Sequence, residues 1–399
     1  MRSELGAGAR LPMLGSTAVC AVAAMALAVA MGIGRFAFTP LLPLMVRDGS
    51  LAESAGAWLA ASNYLGYLAG AMTASRLGLP APTLMRASLA GIVVATGAMG
   101  AFDGLAAWIV LRCVAGVLSA WTLISTSTWS LQHLAQAGRS ELSGLVYAGV
   151  GLGIALAGLF CLAAARPGVS ASRLWLELGA VAALLVCVAN LCVGRSSPTC
   201  ASAGSTPPSG CEPGASTGLV ICYGVLGFGY ILPATFLPAL AREVVDDPQV
   251  FGLAWPVFGV GAALSTIATA WCFGFANRLR AWAVSHLLMA AGVILPSVWL
   301  GAMAIAIAAI LVGSTFMVVT MVGLQEARAR KPDNPTALLA QMTAAFAIGQ
   351  LAGPLACGII GQLQAGHRAA LGYVLQIGAC ALAASAAYLW IQSRRSSGN

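Results

Sequence analysis

Charge is what this 399-residue sequence has least of, with Asp, Glu, Lys and Arg together making up 8% of it. An ordinary soluble domain carries about 25%, so there is too little polar material here to coat a water-facing surface. The basic residues are thinly spread and form no cluster, which excludes a nucleic-acid binder. The 59% of hydrophobic residues excludes a disordered chain. The 11 cysteines show no spacing that suits zinc, and their scatter through apolar runs excludes a disulfide-stapled secreted module. No P-loop, nucleophile elbow or metal-ligand cluster is present. Gly149-Val150-Gly151-Leu152-Gly153 lacks the preceding strand, the third-glycine spacing and the later acid of a dinucleotide site. The chain is therefore expected to be neither an ATP-driven pump nor a membrane enzyme, and to use no cofactor and no metal.

What is present is apolar length. A spanning helix needs roughly 20 apolar residues, and runs of that size lie at about 13–45, 54–75, 83–102, 105–132, 141–165, 173–193, 217–241, 249–275, 281–300, 302–325, 336–363 and 370–391. The expectation is an all-α membrane protein with twelve transmembrane helices, because these Ala/Leu/Gly/Val runs show none of the alternation of a membrane β-barrel. Residues 194–216, rich in Ser, Pro and Gly, read as a linker. They divide a six-helix unit at 1–193 from another at 217–391, with a tail at 392–399. With both termini inside, 13 Lys and Arg fall in inner segments and five in outer ones, while Arg35 and Arg112 lie within spans. That bias predicts cytoplasmic termini, and the expected location is the bacterial inner membrane. Arg2 and Arg10 followed by Ala28-Val29-Ala30 have the outline of a signal peptide, but the apolar run continues to Leu44, so it is expected to remain as the first span.

The two units carry a trace of duplication. Gly32-Ile33-Gly34 through Pro43 in span one and Gly227-Phe228-Gly229 through Pro238 in span seven match at an offset of 195 in both glycines and the last proline. Such a match between the opening helices of two halves is the mark of parallel transporter repeats. The same offset pairs Gly158 with Gly353 and Tyr230 with Arg35.

Given these residues, the chain resembles the major facilitator superfamily. Gly34-Arg35-Phe36-Ala37-Phe38-Thr39-Pro40-Leu41-Leu42-Pro43, with Ser62-Asn63-Tyr64-Leu65-Gly66-Tyr67, resembles its YbfB-type branch. Arg112-Cys113-Val114-Ala115-Gly116 resembles the superfamily's Arg-x-x-x-Gly element, which the resemblance associates with proton coupling, although Ala115 stands where Gln is often found. Ser75-Arg76-Leu77-Gly78 and Gly274-Phe275-Ala276-Asn277-Arg278-Leu279-Arg280 resemble partial copies of the loop signature between spans two and three, so Arg278 and Arg280 become gating candidates. The resemblance implies two bundles related by a pseudo-twofold axis, with spans one and four lining a central cavity.

Arg35 is the most informative position. An arginine near the bilayer centre costs roughly 3 kcal/mol on insertion scales, so it is expected to face a cavity or a partner rather than lipid. It lies 12 residues before Arg47, or about 18 Å below the outer end at 1.5 Å per residue. By the same arithmetic Arg112 is about 14 Å down from Asp103, and Asn63 about 15 Å from Glu53. No acid sits at that depth. Two guanidiniums without a carboxylate need an anion, carbonyls or water, and a solute carboxylate fits the arginine fork. The other reading has Arg35 or Arg112 fastening carbonyls freed near Pro40, Pro43 or the glycines. For Asn63, an interhelical hydrogen bond is favoured over ligand contact.

The substrate-binding candidates are Arg35, Asn63, Tyr230, Gln350 and Tyr147, with Tyr67, Trp129, Tyr223 and Trp255 as further path-lining aromatics. Arg112, Arg278 and Arg280 are the coupling or gating candidates. Gly32, Gly34, Pro40, Pro43, Gly153, Gly353 and Pro354 are expected hinge and packing positions. His133, His286 and His367 have no paired acid nearby in sequence. The expected function is secondary transport of a small organic solute, leaning to an organic anion, by a monomer coupled to protons. The competing readings are a proton-driven exporter of drugs or sugars and a non-transporting membrane sensor.

Overall fold

The computed structural model describes residues 15–52, 55–164, 168–193, 213–242, 248–272, 277–332, 334–363 and 367–395. Twelve helices cross the molecule: α1 (Ser16–Arg47), α2 (Ala55–Ala74), α3 (Ala81–Ala101), α4 (Leu105–Gln136), α5 (Ser143–Ala164), α6 (Ala171–Val193), α7 (Pro213–Arg242), α8 (Pro248–Cys272), α9 (Arg278–Val298), α10 (Ala302–Arg330), α11 (Pro335–Leu363) and α12 (His367–Arg395). All except α2 are long and apolar enough to cross a membrane; in α2, Ser62, Asn63, Tyr64 and Tyr67 dilute the run. Large apolar side chains such as Val94, Leu184, Leu191 and Leu264 point outward, as lipid-facing positions do.

Helix ends follow local chemistry. Gly138 and Gly49, with φ of 66° and 69°, each stop a helix in a left-handed turn. Arg139 N–H then reaches back to Leu134 O at 2.8 Å, and Ser50 N–H to Met45 O at 3.1 Å, closing Schellman motifs. The expected linker is shorter at its far end, because α7 begins at Pro213, a residue suited to a first turn. The rest of it, 194–212 with Cys200 and Cys211, lies outside the described residues, as do Arg2 and Arg10. The expected tail from 392 is helical as far as Arg395, where Arg394 and Arg395 complement the carbonyl end of α12.

Packing repeats from one half to the other. In the first half α1 packs on α4, α5 and α6, and α3 on α4 and α6; in the second, α7 packs on α10, α11 and α12, and α9 on α10 and α12. Between halves, α2 meets α11 and α5 meets α8, which exchange under the same six-helix shift. That is a pseudo-twofold. Gly32 and Gly227, paired by the 195 offset, face equivalent neighbours: an added Cβ would come within 2.4 Å of Gly153 on α5 and 2.1 Å of Phe346 O on α11. The offset fails for Gly158 and Gly353, since Gly158 lies on Pro256 of the other half and Gly353 on Ile231 of its own.

Helix α5 is glycine-lined on two sides. Gly149 and Gly153 rest on Ala24 and Ala28 of α1, while Gly144 and Gly151 rest on α8 at Thr266/Ala270 and Gly259/Ala263. One set closes a bundle internally and the other brings the bundles together. Arg76, Arg139, Arg278, Arg280, Arg330, Arg394 and Arg395 fall at helix ends on one face of the molecule, called here the arginine-rich face. Arg47 and Arg173 lie at the opposite one.

Candidate functional site

The central feature of α1 is a π-helical stretch, Ala28–Phe36, ending at Arg35 and Phe36. Sequence periodicity alone suggests an ordinary α-helix here; π turns are rare and occur mostly at functional positions. The chain returns to α-helix at Phe38, so Pro40 lies in the first turn of that segment and Pro43 inside it. Helix α4 braces the π stretch from the side. Ser119 Oγ donates to Ala30 O at 2.9 Å, and Arg112 donates from Nη1 to Gly34 O and from Nη2 to Arg35 O, both at 3.0 Å. Arg112 also lies over the Phe38 ring, 4.8 Å from its centroid. Asn63 Nδ2 donates to Arg112 O at 2.9 Å, tying α2 to α4. Of the three polar groups placed at one depth by the sequence, Arg112 thus holds the main chain behind Arg35, and Asn63 holds the main chain of Arg112.

Arg35 itself projects toward the other bundle. Its guanidinium lies 3.9 Å from the Tyr67 ring centroid, with Phe36 at 5.6 Å and Tyr64 at 5.7 Å. Nη2 donates to Gln350 Oε1 on α11, joining the halves across 315 residues of sequence. The side chain is only 3% exposed, yet its Nε and Nη1 have no partner. Gln350 Nε2 and the Tyr230 hydroxyl are likewise buried and unpartnered. Every one of these atoms can donate a hydrogen bond. The described acids lie elsewhere: Asp48, Glu141, Glu177 and Glu326 pair with arginines near helix ends, and Asp103 precedes α4.

A circuit of rings encloses this point. Phe36 meets Phe316 edge to face at 6.5 Å; Phe316 stacks on Tyr230 at 4.9 Å, Tyr230 on Phe346 at 6.2 Å, and Phe346 meets Tyr67 at 6.4 Å. Arg35 completes the circle between Tyr67 and Phe36. Trp255 packs edge to face on Phe36 at 6.3 Å. Five helices from both halves contribute: α1, α2, α7, α10 and α11.

Toward the arginine-rich face the bundles are joined again. Gln325 Nε2 on α10 donates to Ser143 Oγ on α5, and the hydroxyls of Thr128 on α4 and Thr336 on α11 lie 3.4 Å apart. Arg278 and Arg280, the expected gating pair, act within the second half. Glu326 accepts from Arg278 Nε at 3.0 Å and Arg330 Nε at 2.9 Å, while Arg280 lies 5.9 Å from the Trp390 ring. Asn277 caps α9 by accepting from Arg280 N at 3.2 Å; Gly274, Phe275 and Ala276 of that loop lie outside the described residues.

Of the substrate-binding candidates, Arg35 and Gln350 are brought into contact, and Tyr230 joins them through the ring circuit. Asn63 is committed to α4, and Tyr147 donates its hydroxyl to Ser127 at 2.9 Å. Gly353 packs on Ile231, and α11 runs through Pro354 without a break. His286 is held by Trp282 and Ser385, and His367 lies where no side chain is described. Phe36, Phe316 and Phe346 escaped sequence reasoning, because a lone Phe in an apolar span gives no contrast. The sequence pointed to that circuit through Tyr230, paired with Arg35 by the repeat, and through Tyr67 among the path-lining aromatics.

A sequence model of the family described as "Uncharacterised MFS-type transporter YbfB" matches residues 27–389. No curated protein matches in sequence. Among solved structures, the crystal structure of the human organic anion transporter MFSD10 (TETRAN) is similar with a TM-score of 0.70, covering 94% of this chain and 100% of that one at 16% identity. At that identity the likeness is one of fold, and it agrees with the twelve-helix, two-bundle packing. With a family match that spans nearly the whole chain, the protein belongs to the YbfB-type family of major facilitator superfamily (MFS) transporters.

Proposed function

We propose that the protein carries a small organic anion across the bacterial inner membrane as a monomer, its two bundles rocking about Arg35 to expose the site alternately to each side. The observation that carries this reading is the buried, unpartnered set of groups able to donate, Arg35 Nε and Nη1, Gln350 Nε2 and the Tyr230 hydroxyl. A buried donor left unsatisfied costs about 1–3 kcal/mol, more when charged. An entering carboxylate offers the acceptors and the charge that the site lacks. The structural neighbour is itself described as an organic anion transporter, which supports the same class.

The arginine-rich face is the cytoplasmic one in this reading, following the positive-inside rule. The bonds Gln325–Ser143 and Thr128–Thr336 then make this a state closed toward the cytoplasm. Rocking would break them and part α5 from α8 along their glycine-lined contact. We propose the proton as coupling ion. The described residues hold no acid at the depth of Arg35, so the proton is not assigned to a carboxylate side chain there.

The test is uptake into proteoliposomes of labelled organic anions, sugars and cationic drugs, each with and without an imposed pH gradient. The reading predicts saturable anion uptake that the gradient accelerates. Uptake confined to sugars or cations would overturn it.

A further inference from the structure

The ring circuit and the limited number of free charged donors narrow the solute further. We propose that it is a monocarboxylate with a flat, apolar body, whose carboxylate displaces Gln350 Oε1 from Arg35 while the aromatic rings take the body. This inference rests on the organic-anion reading above.

Charge limits the solute to a single carboxylate. Arg112 commits both terminal nitrogens to the α1 carbonyls and leaves only Nε unengaged, so its fork is not offered to a solute. Arg35 has one terminal nitrogen on Gln350 and two nitrogens free. Replacing one amide oxygen by a carboxylate would satisfy Nη1 and Nη2 together, the bidentate geometry a guanidinium favours. A second carboxylate on the same solute would meet only neutral donors, the Tyr230 hydroxyl and Gln350 Nε2, inside a wall of rings. A desolvated carboxylate without a counter-charge is strongly disfavoured.

The rings favour a flat body. Tyr230 lies nearly parallel to both Phe316 and Phe346, at 22° and 27°. Those three rings come from α7, α10 and α11, whereas Phe36 and Tyr67 come from α1 and α2. When the bundles part, the circuit opens at its two edge-to-face contacts, Phe36–Phe316 and Tyr67–Phe346, and a planar body entering there makes offset or edge contacts with rings of both halves. Gln350, whose Oε1 occupies the acceptor position, acts as an internal stand-in for the solute when the site is empty.

The experiment measures binding of benzoate, acetate, terephthalate and benzamide to the purified full chain in nanodiscs by calorimetry, with Phe316→Ala alongside. Benzoate is expected to bind at least tenfold more tightly than acetate, terephthalate or benzamide, and Phe316→Ala is expected to erase its advantage over acetate. Terephthalate or acetate binding as tightly as benzoate would overturn the inference while leaving an organic-anion site in place. Benzamide binding as tightly as benzoate, or benzoate, acetate and terephthalate all failing to bind, would overturn both. A Phe316→Ala protein that folds and keeps the full preference for benzoate would remove the rings from the account.

Discussion

Two glycines five residues apart on α5 separate the stability of a bundle from the balance between bundles. A Cβ at Gly144 would come within 2.5 Å of Ala270 Cβ and 2.7 Å of Thr266 O, both on α8. A Cβ at Gly149 would come within 2.2 Å of Ala24 O and 2.6 Å of Ala24 Cα on α1. Ordinary contact begins near 3.4 Å, so Ala at either position forces neighbouring helices apart by about 1 Å. Overpacking of this kind typically costs about 1–3 kcal/mol. For Gly149→Ala the strain falls on the native bundle. At about 2–4 °C per kcal/mol, melting is expected to drop by roughly 2–12 °C. For Gly144→Ala it falls on the contact beside Ser143, which the proposed rocking breaks when the arginine-rich face opens. The closed population is then disfavoured by about 5–150-fold with little change in melting. Hydrogen exchange of the α4 and α11 segments around Thr128 and Thr336, alongside thermal melting, reads both quantities. The account expects faster exchange there for Gly144→Ala alone. If Gly144→Ala melted early with unchanged exchange, or Gly149→Ala opened that face, the division of labour along α5 would be refuted.

Other consequences concern the brace and the stand-in. Arg112→Met keeps the stem but removes the donors to Gly34 O and Arg35 O. Relief of a buried charge offsets much of the lost bonding, so melting should shift little while anion affinity falls about tenfold, near 1.4 kcal/mol; calorimetry with a melting control checks this. Gln350→Glu places a carboxylate on Arg35 and should compete with the solute, lowering anion affinity at least tenfold in the same assay.

The twelve spans were legible because each is a long apolar run, and Pro213 and Arg395 moved boundaries only by local end effects. Arg35, Gln350 and Tyr230 were legible because a polar side chain in an apolar span stands out. Arg112 and Asn63 stood out for the same reason, and carbonyl fastening by Arg112 and an interhelical hydrogen bond from Asn63 were both among the expectations; only the particular carbonyls were beyond the sequence. The π stretch carries no periodicity of its own, and its glycines are common in membrane helices. Thr128–Thr336 and Ser143–Gln325 join residues more than 180 positions apart, and small polar residues are frequent enough in such helices that no pair singles itself out. Phe36, Phe316 and Phe346 were hidden for the opposite reason, being apolar among apolar neighbours.

The central claim is that the Arg35 guanidinium holds the negative group of the solute. Its most direct test is the dissociation constant of benzoate for the wild-type chain, Arg35→Lys and Arg35→Gln, each checked for folding by melting. Removing one partner of a buried charge pair costs at least about 2 kcal/mol, so Arg35→Gln is expected to weaken binding roughly 30-fold or more. Arg35→Lys keeps the charge without the planar fork and should fall between Gln and wild type. Folded Lys and Gln variants that both bind benzoate as tightly as the wild type would contradict the account.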